Sequence, residues 1–298
     1  MPARGRGAME LGLFVDGPAR PEAVSSLRDR GFAIEERVLP LGLCEALLAR
    51  LEAMLRGEFD TGTPPDKVPR PTPEGCRRPR VAQFVNAWKG DALFAAVVHS
   101  EQLAAWVADL AGWPGGAEVL QDQVWCKPVG SGPIGFHLDT AYMGEGVFTA
   151  WLALDDLEPD LGPLEYACGS HLWPLPQSEG YRPALFGRKD YRTELEKAAA
   201  HAGQSICVTQ VLVPQGGGSV HDGRTWHGSG VNRSGRPRRG LGVHFGPRGA
   251  RPTPPTALAR RITQASDASL ARSEAAAQEA REVPQAAEEK RSNPEPVG

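Results

Sequence analysis

Residues 117–167, AEVLQDQVWCKPVGSGPIGFHLDTAYMGEGVFTAWLALDDLEPDLGPLEYA, decide the fold. β-type runs at 117–127, 147–155 and 163–167 are separated by Gly- and Pro-rich turns, and the same rhythm returns at 206–213, 218–221 and 239–246. Short strands at this spacing predict an antiparallel barrel or jelly roll, not alternating βαβ units. Working outward, the N-terminal side reads as helical. Residues 20–39 predict a short helix ending at Gly31 and a strand through Phe32, Ile34 and Val38. Leu47, Leu48, Leu51, Met54 and Leu55 fall on one face of an amphipathic helix. Ser100 is a good N-cap for another helix running to Leu110, with Leu103, Trp106, Val107 and Leu110 as its apolar stripe. The expected class is therefore mainly β with flanking helices.

Three regions fall outside this pattern. Residues 1–20 read as a flexible N-terminal arm. Residues 57–80 are too rich in Gly, Pro, Thr and Arg for a regular element, and 175–205 form a polar insertion with a helical stretch near 190–201. Residues 249–298 are a low-complexity tail of Ala, Glu, Arg and Pro, expected to be disordered because it cannot bury enough apolar surface to offset its ordering entropy. That leaves 21–248 as the folded domain.

Composition narrows the function. The chain has 298 residues, 41% hydrophobic and 23% charged, with a formal net charge of -3, which gives no reason to expect nucleic acid or an anionic membrane as partner. No apolar run is long enough for a membrane span, and the N-terminus lacks a signal-peptide core. Cys44, Cys76, Cys126, Cys168 and Cys207 are odd in number and scattered, so neither a disulfide framework nor a cysteine zinc site is expected, and the cytoplasm is the simplest setting. Oligomeric state is not legible.

The sharpest local feature is Phe136-His137-Leu138-Asp139. On a strand, His137 and Asp139 would point to the same side and offer an imidazole and a carboxylate to one point. The segment HDGRTWHGSG, residues 221–230, holds two candidates for a third ligand, His221 and His227. Two imidazoles and a carboxylate on one face of an octahedral ion leave three positions open, which suits non-haem iron(II); zinc takes the same ligand types. His171 reads as a turn or supporting residue, and His99, His201 and His244 as surface or packing histidines. On 121–127, Gln121, Gln123, Trp125 and Lys127 share one strand face, either lining a pocket or exposed, opposite Asp122, Val124 and Cys126.

Three blocks, QDQVWCKPVGSGPIGFHLDTAYM, TAWLALDDLEPDLGPLEYACGSHLWP and GGGSVHDGRTWHGSGVNRSGRPRRGLGVHF, resemble the phytanoyl-CoA dioxygenase family in order and spacing, over roughly residues 25–246. The resemblance implies a double-stranded β-helix, the cupin-like jelly roll. It implies an iron(II)- and 2-oxoglutarate-dependent dioxygenase, using O2 and with ascorbate as a stimulating reductant. Such an enzyme hydroxylates or otherwise oxidises an unactivated C–H bond of a small molecule, here in bacterial secondary metabolism. By the same likeness His137, Asp139 and His227 are the catalytic metal ligands. Arg238 pairs with the distal carboxylate of 2-oxoglutarate, Ser229 donates to it, Trp151 walls the pocket and Gln123 contacts co-substrate or substrate. Arg236 and Arg239 compete with Arg238 for the arginine role. Trp125, Tyr142 and Trp226 either help wall the site or simply pack.

Related halogenases carry a small residue at the carboxylate position, so Asp139 points to hydroxylation. The segments 57–80 and 175–205 are expected as lids. Their Arg77, Arg78, Arg80, Arg182, Arg188, Lys189 and Arg192 either meet an anionic substrate or are solvated. The alternative function is a cupin-like protein that binds metal and ligand without turnover.

Overall fold

The computed structural model describes residues 11–72, 74, 78–175, 185–186 and 190–249. Helix α1 (Pro21–Arg30) ends at Gly31, whose φ of 85° is the left-handed conformation that glycine adopts without strain. Strand β1 (Phe32–Glu35) follows, then α2 (Leu41–Leu55), which buries Leu47, Leu51 and Met54. Next come β2 (Ala82–Val85), α3 (Ala92–Val98) and α4 (Glu101–Ala111). Both of these helices are capped as their sequences dictate: Asp91 accepts from the amides of Leu93 and Phe94, and Ser100 from that of Leu103.

The β-rich part contains β3 (Ala117–Lys127), β4 (Ile134–His137), the one-turn helix α5 (Thr140–Met143), β5 (Phe148–Ala153) and β6 (Leu164–Ala167). It continues with α6 (Thr193–Ala202), β7 (Val208–Gln210), β8 (Gly218–Asp222), β9 (His227–Ser229) and β10 (Arg238–Pro247). Two antiparallel sheets result, a major one ordered β1-β8-β5-β10-β3-β2 and a minor one ordered β4-β9-β6-β7. This is the expected jelly roll.

Three apolar clusters hold it together. The largest packs α1 to α4 on the outer face of the major sheet, through Leu47, Leu51, Phe94, Val107, Val124 and Leu241. The second, with Phe32, Trp151, Leu161 and Tyr166, fills the space between the sheets. The third seats α6 and Trp226 on the back of the minor sheet around Phe136 and Leu138. One sequence expectation needs correcting: residues 11–20 are not a free arm. Leu13 is buried, Leu11, Val15 and Ala19 pack on the first cluster, and the Phe14 amide donates to the Val38 carbonyl. Residues 1–10 and the tail from 250 lie outside the described residues. No described helix is long and apolar enough to cross a membrane.

Candidate metal centre and anion pocket

His137 ends β4 directly opposite His227 on β9, with the ring centroids 4.1 Å apart. Asp139 reaches the same point by a different route from the one expected. β4 stops at His137, and Asp139 has right-handed helical angles (φ −66°, ψ −33°) as the residue before α5. The convergence is thus made by a strand-to-helix turn, not by strand alternation. Asp139 Oδ1 lies 3.9 Å from His137 Nε2 and 3.6 Å from His227 Nε2. One ligand atom from each of the three residues falls within 4.8 Å of the others, all three residues being buried.

Protonation favours a cation at that point. His137 Nδ1 donates to the Gly135 carbonyl and His227 Nδ1 to that of Thr225, each at 2.9 Å, which turns both Nε2 lone pairs toward Asp139. Burial, reinforced by the neighbouring His227, pushes the His137 imidazole down to about 3; burial likewise pushes His227 down to about 4, so both are neutral. Burial alone would raise the Asp139 carboxyl, but His227, His244 and His221 hold it well below the ordinary carboxylate range.

Asp139 Oδ2 is occupied by the protein. It accepts from Thr149 Oγ1 at 2.6 Å and from His221 Nε2 at 3.0 Å. His221, weighed as a rival ligand, therefore orients the carboxylate; its Nδ1 is in turn 2.9 Å from the Tyr166 hydroxyl, which is 2.8 Å from Ser219 Oγ. His244 is neither a surface nor a packing residue. It lines the pocket, and because the single proton of Thr149 goes to Asp139, His244 Nδ1 must carry the proton it shares with Thr149 Oγ1 at 2.8 Å.

Deeper between the sheets the chemistry changes sign. Arg238 and Lys127 are register partners on β10 and β3 and are almost wholly buried (1% and 0% exposed). Lys127 Nζ donates to Ser229 Oγ at 3.0 Å and to the Gly230 carbonyl. Among the described residues no carboxylate forms an ion pair with either cation, and Arg238 Nε has no hydrogen-bond partner. The two rivals are accounted for: Arg236 meets the Asp156 carbonyl and Glu158 at the surface, and Arg239 is paired with Asp155 at 2.6 Å. Burial drives Arg238 down to about 10 and, with Arg238 beside it, Lys127 down to about 6. A buried guanidinium without a counter-charge is costly, as is charging the amine beside it, and an anion on this spot relieves both costs. Lys127 was missed as well as Thr149 and His244; its place on the face with Gln121, Gln123 and Trp125 was its only sequence signal.

Trp151 walls this end, with the Arg238 guanidinium carbon 5.4 Å from its ring centroid. Gly240 makes room for it, since a Cβ there would sit 2.3 Å from the indole. The pocket, about 490 Å³ including space open to solvent, runs from Arg238 past Ser229, Trp151 and Gln123 to His137, Asp139 and His227, with Lys127 hydrogen-bonded to Ser229 from outside its lining. Gln123 lines the pocket, accepting from Gln83 Nε2 at 2.8 Å and donating to Gln121 at 2.9 Å.

Trp125 also lines the pocket, with Phe186 of the 175–205 insertion 6.2 Å from its ring. Trp226 instead packs behind the minor sheet, and Tyr142 stands edge-on to His137 at 6.1 Å. His171 bonds the Arg28 carbonyl, away from the centre, while His99 and His201 are exposed. Of the loop cations, Arg192 pairs with Glu165. Arg77, Arg182, Arg188 and Lys189 lie outside the described residues.

A model of the phytanoyl-CoA dioxygenase family matches residues 27–240. No curated protein matches the chain. Among solved structures, AviO1 from Streptomyces viridochromogenes Tue57 is 27% identical, with a TM-score of 0.60, over 80% of this chain and 99% of its own. The non-heme alpha ketoglutarate dependent carbocyclase SnoK from nogalamycin biosynthesis is 25% identical, with a TM-score of 0.58, over 77% and 86%. The epimerase SnoN from the same biosynthesis, 20% identical with a TM-score of 0.61 over 80% and 87%, shares the fold.

Proposed function

Given that the chain belongs to the phytanoyl-CoA dioxygenase family, we propose that it is an iron(II)- and 2-oxoglutarate-dependent oxygenase that hydroxylates an unactivated C–H bond of a small molecule in natural-product biosynthesis. The observation that carries this is one pocket with a neutral-imidazole and carboxylate triad at one end and, at the other, the buried guanidinium of Arg238, which has no ion pair among the described residues. That is the complement of a metal ion holding a dianion.

His137 Nε2, Asp139 Oδ1 and His227 Nε2 would hold the iron. With Oδ2 engaged by Thr149 and His221, Asp139 would offer one oxygen, and three protein ligands would leave the ion open to co-substrate and O2. Arg238 would hold the distal carboxylate of 2-oxoglutarate, its planar guanidinium suiting a two-point contact, with Lys127 acting on it through Ser229. Ser229 accepts from Lys127 and can pass its own proton to the same carboxylate. Trp151 and the apolar residues between the sheets exclude water.

Bound there, iron and 2-oxoglutarate supply the activation of O2; the protein supplies position and a dry wall. Asp139 fills the carboxylate position and leaves no place for a halide, which favours hydroxylation. SnoK, a carbocyclase on a related chain, marks ring closure as the outcome to compare.

The test is anaerobic titration of the apo-protein with ferrous ion and 2-oxoglutarate. A weak visible charge-transfer band is expected, followed on admission of air by slow succinate release that a cognate substrate accelerates. Absence of both the band and the succinate would reject the oxygenase assignment.

A further inference from the structure

Four cysteines lie among the described residues, and two of them face each other. The ladder between β6 and β7 runs Tyr166 with Thr209 and Ala167 with Val208; one step on, the Cys168 amide donates to the Cys207 carbonyl at 2.8 Å. Directly opposite residues of an antiparallel pair have Cα atoms about 4.5–5.5 Å apart, inside the roughly 4.4–6.8 Å that a disulfide spans. The two sulfurs are already 3.4 Å apart. Around Cys168 Sγ stand Thr209 Oγ1 at 3.2 Å and Arg30 Nη2 at 3.9 Å, while Cys207 is exposed at the sheet edge.

We infer that Cys168 and Cys207 form a reversible dithiol–disulfide site oxidised by hydroperoxides, with Cys168 as the attacking thiolate and Cys207 as the resolving thiol. The Cys168 sulfur takes the terminal oxygen of the peroxide as the O–O bond breaks, giving a sulfenic acid and water or alcohol. The Cys207 sulfur then attacks it, the S–O bond breaks, the Cys207 proton leaves with the hydroxyl as water, and the S–S bond forms. Two thiols lose two electrons and the peroxide gains them.

The electrostatics agree with this division of labour. Burial works against ionisation of Cys168, yet hydrogen bonds from Thr209, Cys207 and Arg30 bring its thiol below the usual value, while the hydrogen bond to Cys168 and its charge raise that of Cys207. Cys44 and Cys126, by contrast, are pushed up to about 11 by burial and stay inert.

The bond would close the excursion between residues 168 and 207. Its Leu185 and Tyr191 carbonyls accept from Gly135 and Phe136 at the strand bearing His137, and its Phe186 stands by Trp125 at the pocket mouth.

The test uses the full chain, with a chelator present so that peroxide meets only protein. One equivalent of hydrogen peroxide should give a Cys168–Cys207 bridge in a non-reduced proteolytic map, reversed by dithiothreitol, and a Tm raised by about 5–10 °C. In Cys207→Ser, dimedone should label Cys168; in Cys168→Ser, Cys207 should remain a thiol. Both residues unbridged in the oxidised wild type, or dimedone labelling at Cys207 in Cys168→Ser with none at Cys168 in Cys207→Ser, would overturn the assignment. The wild-type map decides the bridge even if a serine variant fails to fold.

Discussion

The two ends of the pocket are built on opposite principles. At the metal end each polar group has its partner within the chain: Nδ1 of His137 and His227 on carbonyls, Asp139 Oδ2 on Thr149 and His221, His221 on Tyr166. At the cation end Arg238 Nε has none, and among the described residues neither Arg238 nor its register partner Lys127 forms an ion pair with a carboxylate. The first end is preorganised, so the ion meets ligands already aimed. The second is left incomplete, and under the proposed function the co-substrate would complete it. Preorganisation costs stability little when every group is satisfied; incompleteness is a standing cost that binding removes.

The largest expected effect breaks the metal end. Asp139→Ala should abolish succinate formation and substrate oxidation, and the ferrous charge-transfer band should vanish with them; wild-type turnover in this variant would end the ligand assignment. Next comes the cation end. Arg238→Met should weaken 2-oxoglutarate binding by about a hundredfold, yet make the co-substrate-free protein more stable by about 1–4 kcal/mol because it removes an uncompensated buried charge. Calorimetric Kd and thermal unfolding read the two halves, and a lowered Tm would refute the contrast between the two ends of the pocket.

A smaller effect is expected at the hydrogen bond behind the ligand. His221→Phe should lower metal affinity about ten- to a hundredfold while leaving the triad in place, measured by competition with a chromophoric chelator. Unchanged affinity would mean that Asp139 needs no support.

The smallest signal is a proton. Lys127 is pushed down to about 6 by burial and by Arg238, so in the empty pocket its amine is neutral above that pH, while in the unfolded chain it stays charged to about 10.4. Between those values the unfolded state binds more protons, and the stability of the empty protein should rise with pH. A carboxylate arriving beside Lys127 favours the charged amine, so 2-oxoglutarate binding near pH 7.5 should take up a fraction of a proton. Calorimetry in buffers of different ionisation enthalpy reads this; zero uptake would place Lys127 outside the co-substrate contacts.

Much of this was legible in the sequence because it rests on local features. The caps at Asp91 and Ser100, the turn at Gly31 and the apolar stripe of α2 depend on neighbours a few residues away. The three blocks and their spacing singled out His137, Asp139, His227 and Arg238, which the structure brings to one pocket. The route of Asp139 was not, because whether a strand continues for two more residues is decided by tertiary context. The roles of Thr149 and His244 were hidden for a related reason. They become neighbours only through the β5–β10 register, where His244 stands opposite Thr149, and no local pattern encodes that pairing. Lys127 stood in view on its strand face, but a lysine there is ordinarily solvated; only the covering minor sheet makes it a buried charge.

The glycines of β10 carry a last consequence. Gly240 and Gly242 are register partners of Ala153 and Trp151 on β5, and at 242 an added methyl would meet the Trp151 ring at 3.7 Å, an ordinary van der Waals distance, against 2.3 Å at 240. The pocket can therefore be narrowed by one methyl group at position 242 without moving the indole, whereas position 240 is closed to any such adjustment. A chain that diversifies its chemistry has one hydrogen atom on that strand free to exchange, and one that it must keep.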